Sequence, residues 1–141
     1  MIGDKWSILI LREMFLGGRR FDDFLRLTGM SPHLLSQRLK NMVDAGIVRR
    51  EEYLKHPPRY EYRLTASGRE LWPVVITLKQ WGDRWLGDDE MPVEIQHKTC
   101  GRTVRPHLIC PDCGQPMNAH DAEPHVSPKY ENERQAARKH R

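Results

Sequence analysis

Two short segments in the C-terminal third of the chain carry side chains that bind transition metals. His97 and Cys100 are separated by two residues, as are Cys110 and Cys113, and a glycine directly follows each pair. We call each pair with its glycine a knuckle. The spacing lets both side chains converge on one ion, and glycine permits the tight turn behind them. One histidine and three thiolates leave no open coordination position, so the sequence predicts a structural zinc site in a zinc-ribbon-like β segment over residues 93–118.

Other states of these side chains fit the same spacing. The thiols can remain reduced without metal, or Cys110 and Cys113 can form a reversible disulfide and act as a thiol redox sensor. Another histidine can also replace His97 as the fourth ligand. The histidines available for that exchange are His107, His120 and His125. The sequence leaves these alternatives open.

A second set of side chains, able to donate and accept hydrogen bonds, lies on one face of a helix predicted over residues 31–46. Ser31 suits the N-cap, Pro32 the first helical position and Gly46 the residue after the last turn. At about 100° per residue, an apolar stripe and a polar face separate. The apolar stripe consists of Leu35, Leu39, Met42 and Val43. The polar face, able to hydrogen-bond with base edges or phosphates, consists of His33, Ser36, Gln37, Lys40, Asn41 and Asp44.

The preceding residues predict two helices that would hold this polar face in place. Residues 4–16 form an apolar helix capped by Asp4, and residues 19–29 form a shorter helix ended by Gly29. A helix, a short glycine-containing turn and a second helix is the order of a helix-turn-helix, which presents its second helix to DNA. A solvated helix without a DNA-binding role would show a similar polar face.

The residues after Gly46 predict a β-hairpin, the wing of a winged helix. Residues 47–53 and 60–64 are β-rich, and residues 54–59 between them contain two prolines, which predicts an open tip. Basic side chains lie at its base and tip, where they suit phosphates or the minor groove, although a basic solvated turn is an alternative. They are Arg49, Arg50, Lys55, His56 and Arg59.

A long helix is predicted from Thr65, its cap, to about residue 86, with a kink at Pro73. It carries more apolar surface than a lone surface helix can bury, which predicts a dimer interface. The interface residues expected are Leu71, Val75, Leu78, Trp81 and Trp85. Packing on its own domain or on the C-terminal segment is the alternative.

Composition sets the domain plan and the class of protein. The net charge is +4, and residues 1–64 hold 12 basic against eight acidic side chains, consistent with a polyanionic partner. We expect a DNA-binding and dimerisation domain over residues 1–86, a linker at 87–92, the ribbon segment at 93–118 and a disordered basic tail at 124–141. With neither an apolar run of about 20 residues nor a secretory leader, we expect a cytoplasmic protein without membrane contact.

The first 82 residues resemble the HxlR-type family of bacterial winged helix-turn-helix transcriptional regulators. The resemblance rests on separate motifs spread over these residues, and it implies a mainly α fold with a β-hairpin wing. The motifs that carry the resemblance are Ile2-Gly3 with Lys5-Trp6, Leu9 through Glu13, Gly17 with Arg19-Arg20-Phe21, Ser36-Gln37-Arg38-Leu39, Ala45-Gly46-Ile47-Val48-Arg49-Arg50, Pro57-Pro58 with Arg59-Tyr60-Glu61-Tyr62, and Leu64-Thr65 with Gly68. The resemblance also implies a homodimer on a palindromic operator, with recognition helices in successive major grooves.

Two departures from the family pattern concern dimerisation and redox sensing. Members usually carry a further N-terminal helix, whereas Met1 stands directly before the first motif here. The dimer is therefore expected to rely more on the tryptophan-rich helix. Some members sense oxidants through a cysteine near their start, but no cysteine precedes Cys100 in this sequence, so that mechanism is not transferred.

The functional hypothesis is a sequence-specific transcriptional repressor. Base contacts are expected from His33, Ser36, Gln37 and Lys40, with Arg38 and Asn41 orienting the helix or touching phosphate. The phosphate contacts expected are Arg19, Arg20, Arg49, Lys55 and Arg59. A winged-helix protein-interaction module is the main rival. An enzyme is not expected, because the sequence shows no paired carboxylates, activated nucleophile or phosphate loop. A small-molecule effector could bind near Trp6, Trp72 or Trp81, although core packing is the simpler use of those rings.

Overall fold

The computed structural model describes residues 2–87 and 93–139. The chain divides into two compact units, Met1–Gln96 and His97–Arg141. Most of the predicted linker, residues 88–92, lies outside the described residues. No helix among the described residues is both long and apolar enough to span a bilayer.

Three helices open the first unit, α1 (Lys5–Phe15), α2 (Phe21–Thr28) and α3 (Pro32–Asp44). The Asp4 carboxylate caps α1 by accepting hydrogen bonds from the amides of Trp6 and Ser7 at 3.1 and 3.2 Å. The Ser31 hydroxyl accepts from the amide of Leu34 at 3.3 Å. Gly29 ends α2 in the left-handed conformation, with φ of 67°. These ends confirm the three predicted helices and the turn between α2 and α3.

The wing consists of antiparallel strands β1 (Val48–Lys55) and β2 (Pro58–Leu64). Their pairing runs from Val48 opposite Leu64 to Lys55 opposite Pro58, so only His56 and Pro57 form the turn. The tip is therefore closed, and the open tip predicted from the two prolines is wrong. Pro58 is tolerated because the first residue of a strand at a sheet edge needs no amide proton for pairing.

The residues after the wing form two helices, α4 (Ala66–Arg69) and α5 (Trp72–Trp85), instead of one kinked helix. Thr65 caps α4 as predicted, its hydroxyl accepting from the amide of Gly68 at 3.1 Å. Pro73 lies in the first turn of α5. Because proline lacks an amide proton and clashes with the carbonyl four residues earlier, it starts a new helix here and does not kink a continuous one.

The core of the first unit draws on α1, α2, α3, the base of the wing and α5. Its largest fully buried side chains are Phe24, Ile10, Leu11, Leu35, Leu39, Met42 and Val48. Val75 of α5 joins this core at 7% exposure, and Leu71 packs against it. Three of the four apolar α3 residues predicted from the sequence are thus buried, with Val43 packed at the margin.

The second unit is built from turns and one helix, α6 (Pro128–Lys139). The helix occupies most of the segment for which the sequence predicts disorder. Its start is stabilised by Ser127, whose hydroxyl accepts from the amide of Tyr130 at 3.3 Å. Every described side chain of α6 up to Arg138 is exposed to solvent.

Candidate nucleic-acid interface

The polar face of α3 lies in solvent, on the side opposite the core. His33, Ser36, Gln37 and Lys40 are all exposed, as are Asn41 and Asp44. The buried residues of the same helix are Leu35, Leu39 and Met42. The helix can therefore present its donors and acceptors to a groove while its other side packs against α2 and β1.

Arg38 lies in a different position from the other polar residues of α3. Its side chain is 29% exposed, and Nε lies 3.4 Å from Oδ1 of Asp4, the cap of α1. Among the described residues that buried nitrogen has no hydrogen-bond partner, so the contact is an ion pair. Of the two roles predicted for Arg38, this position fits orientation of α3 relative to α1.

The Asp4 carboxylate has a lowered pKa. Partial burial alone would raise this pKa, but several favourable contacts outweigh it. They are hydrogen bonds from the Ser7 hydroxyl and amide, the charge of Arg38 and the amide of Trp6. Asp4 thus joins the start of α1 to α3 as an ionised group.

One face of the wing lines a cleft with α3. The Arg50 guanidinium stacks on the ring of Tyr60, 3.5 Å from its centroid. Both side chains border a cleft of about 550 Å³ together with Ser36 and Lys40. Arg50 is one of the basic wing residues that the sequence offers for phosphate contact, although it is absent from the final set of expected phosphate contacts, and Tyr60 is not predicted at all. The cleft brings basic, hydroxyl and aromatic groups together in a form suited to a sugar-phosphate backbone.

The other face of the wing carries Arg49, which the sequence predicts as a phosphate contact. Successive strand residues point to opposite faces, so Arg49 and Arg50 diverge. Arg49 Nε lies 2.5 Å from Glu51 Oε1, and Arg63 bridges Glu51 and Glu61 at 2.9 and 2.6 Å. These carboxylates compensate the charge of Arg49 on the face away from the cleft. The sequence contained a sign of this pairing, because Arg49 and Glu51, like Glu61 and Arg63, are two residues apart and therefore lie on the same face of a strand.

The other predicted phosphate contacts lie at the wing's edge and tip. The backbones of Arg20 and Glu61 form an isolated antiparallel β-bridge, and the Arg19 carbonyl accepts a hydrogen bond from the amide of Tyr62 at 2.8 Å. These backbone contacts attach this segment to β2. Both arginines are exposed. Lys55 and Arg59 are exposed beside the turn of the hairpin.

The apolar stripe on α5 differs from the predicted dimer interface. Val75 is in the core and Leu71 packs against it, so these two residues belong to the domain interior. Leu78, Trp81 and Trp85 remain 50%, 53% and 63% exposed, and Val74 is 48% exposed. Residues 74, 78, 81 and 85 follow the spacing of one helix face. The predicted stripe therefore splits into a buried part and an exposed part.

A second cavity of about 450 Å³ lies beside the base of the wing in the first unit. Trp72 lines it, as the sequence allows, whereas Trp6 packs against the core and Trp81 is exposed. Its remaining lining includes four arginines above an apolar floor. They are Arg19, Arg49, Arg63 and Arg69.

The two predicted metal-binding pairs each form a tight turn in the second unit. His97 Nδ1 lies 3.3 Å from Cys100 Sγ. In the other knuckle, the amides of Cys113 and Asp112 and the Cys113 thiol donate to the sulfur of Cys110 and lower its pKa. Among the described residues no three metal-ligating side chains form one group, so the four predicted ligands lie as two pairs. The alternative histidines, His107, His120 and His125, are exposed.

Comparisons with known proteins agree with this geometry. An HTH-type transcriptional regulator of Mycobacterium tuberculosis strain H37Rv, Rv3095, described as uncharacterized, is 40% identical over 131 residues, which cover 92% of this chain and 83% of that protein. The crystal structure of PA1607, a proposed transcription factor, matches with a TM-score of 0.75 and 35% identity over 90% of this chain and 88% of its own.

A third similarity is to the oxidized form of the redox regulator HypR. Its TM-score is 0.56, with 35% identity over 64% of this chain and 91% of that structure. The model of the HxlR-like helix-turn-helix family matches residues 1–90. Both this family and the curated relatives are groups of transcriptional regulators, not enzymes. With the family model matched over more than half of its length, the chain belongs to the HxlR-like helix-turn-helix family.

Proposed function

We propose that this protein is a DNA-binding transcriptional regulator that inserts α3 into the major groove and places the wing against the adjacent backbone. The single observation that carries the proposal is the cleft shared by α3 and the wing, lined by Ser36, Lys40, Arg50 and Tyr60. Membership of a regulator family supports the same conclusion.

The side chains divide into base contacts and phosphate contacts by position. His33, Ser36, Gln37 and Lys40 are exposed on α3 and are assigned to base edges. Phosphate contacts are assigned to Arg50 at the cleft and, at its edges, to exposed basic residues. These are Arg19, Arg20, Lys55 and Arg59. Arg49 is omitted because Glu51 compensates its charge. Arg38 is assigned to orienting the helix through Asp4, and the exposed Asn41 is assigned to phosphate contact.

Two wing variants with matched chemistry test this assignment. Arg50→Ala is expected to weaken binding to specific and random DNA alike and to lower the salt slope of log K by about 1, because one phosphate contact is lost. Arg49→Ala is the control and should leave the slope unchanged. Fluorescence anisotropy over a salt series, with the DNA upstream of the protein's own gene and a scrambled duplex, measures both. Equal slopes for the two variants would contradict the assignment.

Gln37→Ala tests base reading separately from phosphate attraction. The expected loss is about 1–3 kcal/mol on the specific site with little change on random DNA, since only a base contact disappears. Equal losses on both duplexes would remove Gln37 from base reading. Failure of the unmodified chain to bind any DNA even at low salt would favour the protein-interaction module instead.

We propose further that the regulator is a homodimer joined through the exposed α5 stripe, and that it represses by covering a palindromic operator. Val74, Leu78, Trp81 and Trp85 present an apolar strip of the kind that pairs with a copy of itself. Two α3 helices held this way would occupy successive major grooves. A dimer bound across a promoter would block access of the polymerase. The arginine-lined cavity beside Trp72 is a candidate site for an effector.

Trp81→Glu tests the dimer. Placing a charge in the strip should convert the dimer to a monomer and weaken operator binding, because each half-site would then be bound separately. Leu27→Glu is a matched control, since Leu27 is 50% exposed on α2 and Trp81 is 53% exposed on α5. Light scattering after size exclusion gives the mass of each variant. Retention of the dimer by Trp81→Glu would exclude this interface.

A further inference from the structure

We propose that His97, Cys100, Cys110 and Cys113 bind one structural zinc ion that joins the two knuckles of the second unit. Zinc binding is not part of the DNA-binding function proposed above. The proposal is carried by the geometry of the two turns and by the way the second unit is packed.

The two knuckles are the same structural unit repeated thirteen residues apart. In each, the amide of the first ligand donates to the carbonyl five residues later, at 2.9 Å from His97 and 2.8 Å from Cys110. The glycine amide donates back to the carbonyl of the first ligand, at 2.8 Å in the first knuckle and 2.9 Å in the second. The glycines themselves adopt φ of 68° and 70°. The two knuckles therefore have the same backbone conformation, although the first ligand is His97 in one and Cys110 in the other.

The paired side chains already lie close to the separation that zinc requires. Tetrahedral zinc holds nitrogen at about 2.0–2.1 Å and sulfur at about 2.3 Å, which puts the two ligand atoms about 3.5 Å apart. His97 Nδ1 and Cys100 Sγ are 3.3 Å apart. At the second knuckle the backbone amides of Asp112 and Cys113 donate to the Cys110 sulfur. Such amide contacts support and orient a metal-bound thiolate.

The second unit lacks the apolar core that would otherwise hold these turns. None of the described side chains from residue 97 to residue 138 is buried. Leu108, Ile109 and Met117, which flank the second knuckle, are 60%, 59% and 39% exposed. A segment of this size without a core normally requires disulfides, a metal or a partner to fold. In this structure the four ligands lie as two separate pairs. One zinc bound by both knuckles would draw the pairs together and supply that missing stabilisation.

The donor set favours a structural zinc ion over a catalytic one. Three thiolates and one imidazole fill a tetrahedral site and leave no position for water or substrate. In this chain all three cysteines are used, so no thiol is left over for another role. The role we assign to the ion is to fix the C-terminal unit as a folded module attached to the DNA-binding domain.

Metal analysis and cobalt substitution of the full-length chain test the proposal. Purified protein is expected to hold one zinc per chain, and its three thiols should react with a thiol reagent only after chelation. Replacing zinc with Co²⁺ should give the intense thiolate charge-transfer band and visible absorption of tetrahedral cobalt. Protein that takes up neither ion when either is supplied in excess under reducing conditions would overturn the proposal, as would a Cys110–Cys113 disulfide in metal-free protein as isolated from cells.

Four variants identify the ligands. Cys113→Ser and His97→Ala should lose the stoichiometric metal, whereas His97→Cys should retain it and show a stronger thiolate band, because a fourth sulfur replaces nitrogen. His107→Ala is the control and should retain the metal with an unchanged cobalt spectrum. Retention of the metal by His97→Ala, or its loss from His107→Ala, would overturn the ligand set. Far-ultraviolet circular dichroism of the helical first unit checks that each variant remains folded.

Discussion

The two units of this protein are ordered in different ways. The first buries apolar side chains from four helices and the base of the wing, with Phe24, Ile10, Leu11 and Leu35 at 0% exposure. The second has no buried side chain in its described residues and relies on hydrogen-bonded turns. A packed core holds the exposed face of α3 in a defined position. The second unit has no such core, so another source of stability must hold its turns.

The contrast also separates two kinds of site. The proposed DNA-binding surface uses side chains that must remain exposed, so the core on the opposite side of α3 holds them in place. In the knuckles the functional side chains are the proposed metal ligands, and the bound ion would stabilise the second unit in the way that the apolar core stabilises the first. Unfolding one unit should therefore leave the chemistry of the other intact.

Removal of the proposed zinc ion should have the largest effect, and it should be confined to the second unit. Structural zinc sites contribute apparent free energies of about 10–16 kcal/mol at neutral pH, so a chelator should unfold the knuckles. Limited proteolysis of the full chain should then cut beyond residue 97 while the first unit stays protected. Cleavage spread equally through both units would show that they are not independent.

Phe24→Ala should destabilise the first unit by about 3–5 kcal/mol, because the ring is fully buried and its loss leaves a cavity. The ring also makes an edge contact with Tyr62, with centroids 6.4 Å apart. Urea unfolding followed by far-ultraviolet circular dichroism, which reports the helices of both units, measures the change. Leu108→Ala is the comparison in the second unit, and because Leu108 is 60% exposed it should change stability by no more than about 0.5 kcal/mol. A large loss there would reveal a packing role that exposure does not predict.

Acidification should produce the smallest effect, through Asp4. Its pKa is lowered in the folded protein, so ionised Asp4 stabilises the first unit above the ordinary pKa of about 4. That contribution is lost as the pH falls through the lowered folded pKa. Asp4→Asn retains a capping oxygen without the charge and should flatten this part of the stability profile. Urea midpoints between about pH 6 and pH 3 provide the test, and identical profiles for the two proteins would contradict it.

Local sequence patterns were sufficient for α1, α2 and α3. Caps at Asp4 and Ser31, the left-handed Gly29 and the apolar stripe of α3 act over three or four residues, so their physical effect is contained in the sequence itself. The same holds for the two glycine-terminated knuckles. The exposed polar face of α3 was also predictable, since it is what remains when the apolar stripe is buried.

Only the tertiary structure decided which residues those patterns bring together. The pairing register placed Arg50 on the face toward α3, and placed Arg49 and Glu51 together on the opposite face. A shift of one residue would exchange the two faces. The core took Val75 and Leu71 from the predicted α5 stripe and left Trp81 and Trp85 exposed. Sequence therefore determined α1, α2 and α3, their ends and the metal-ligand spacing through local contacts. Which faces meet depends on packing between distant segments, and local patterns do not contain that information.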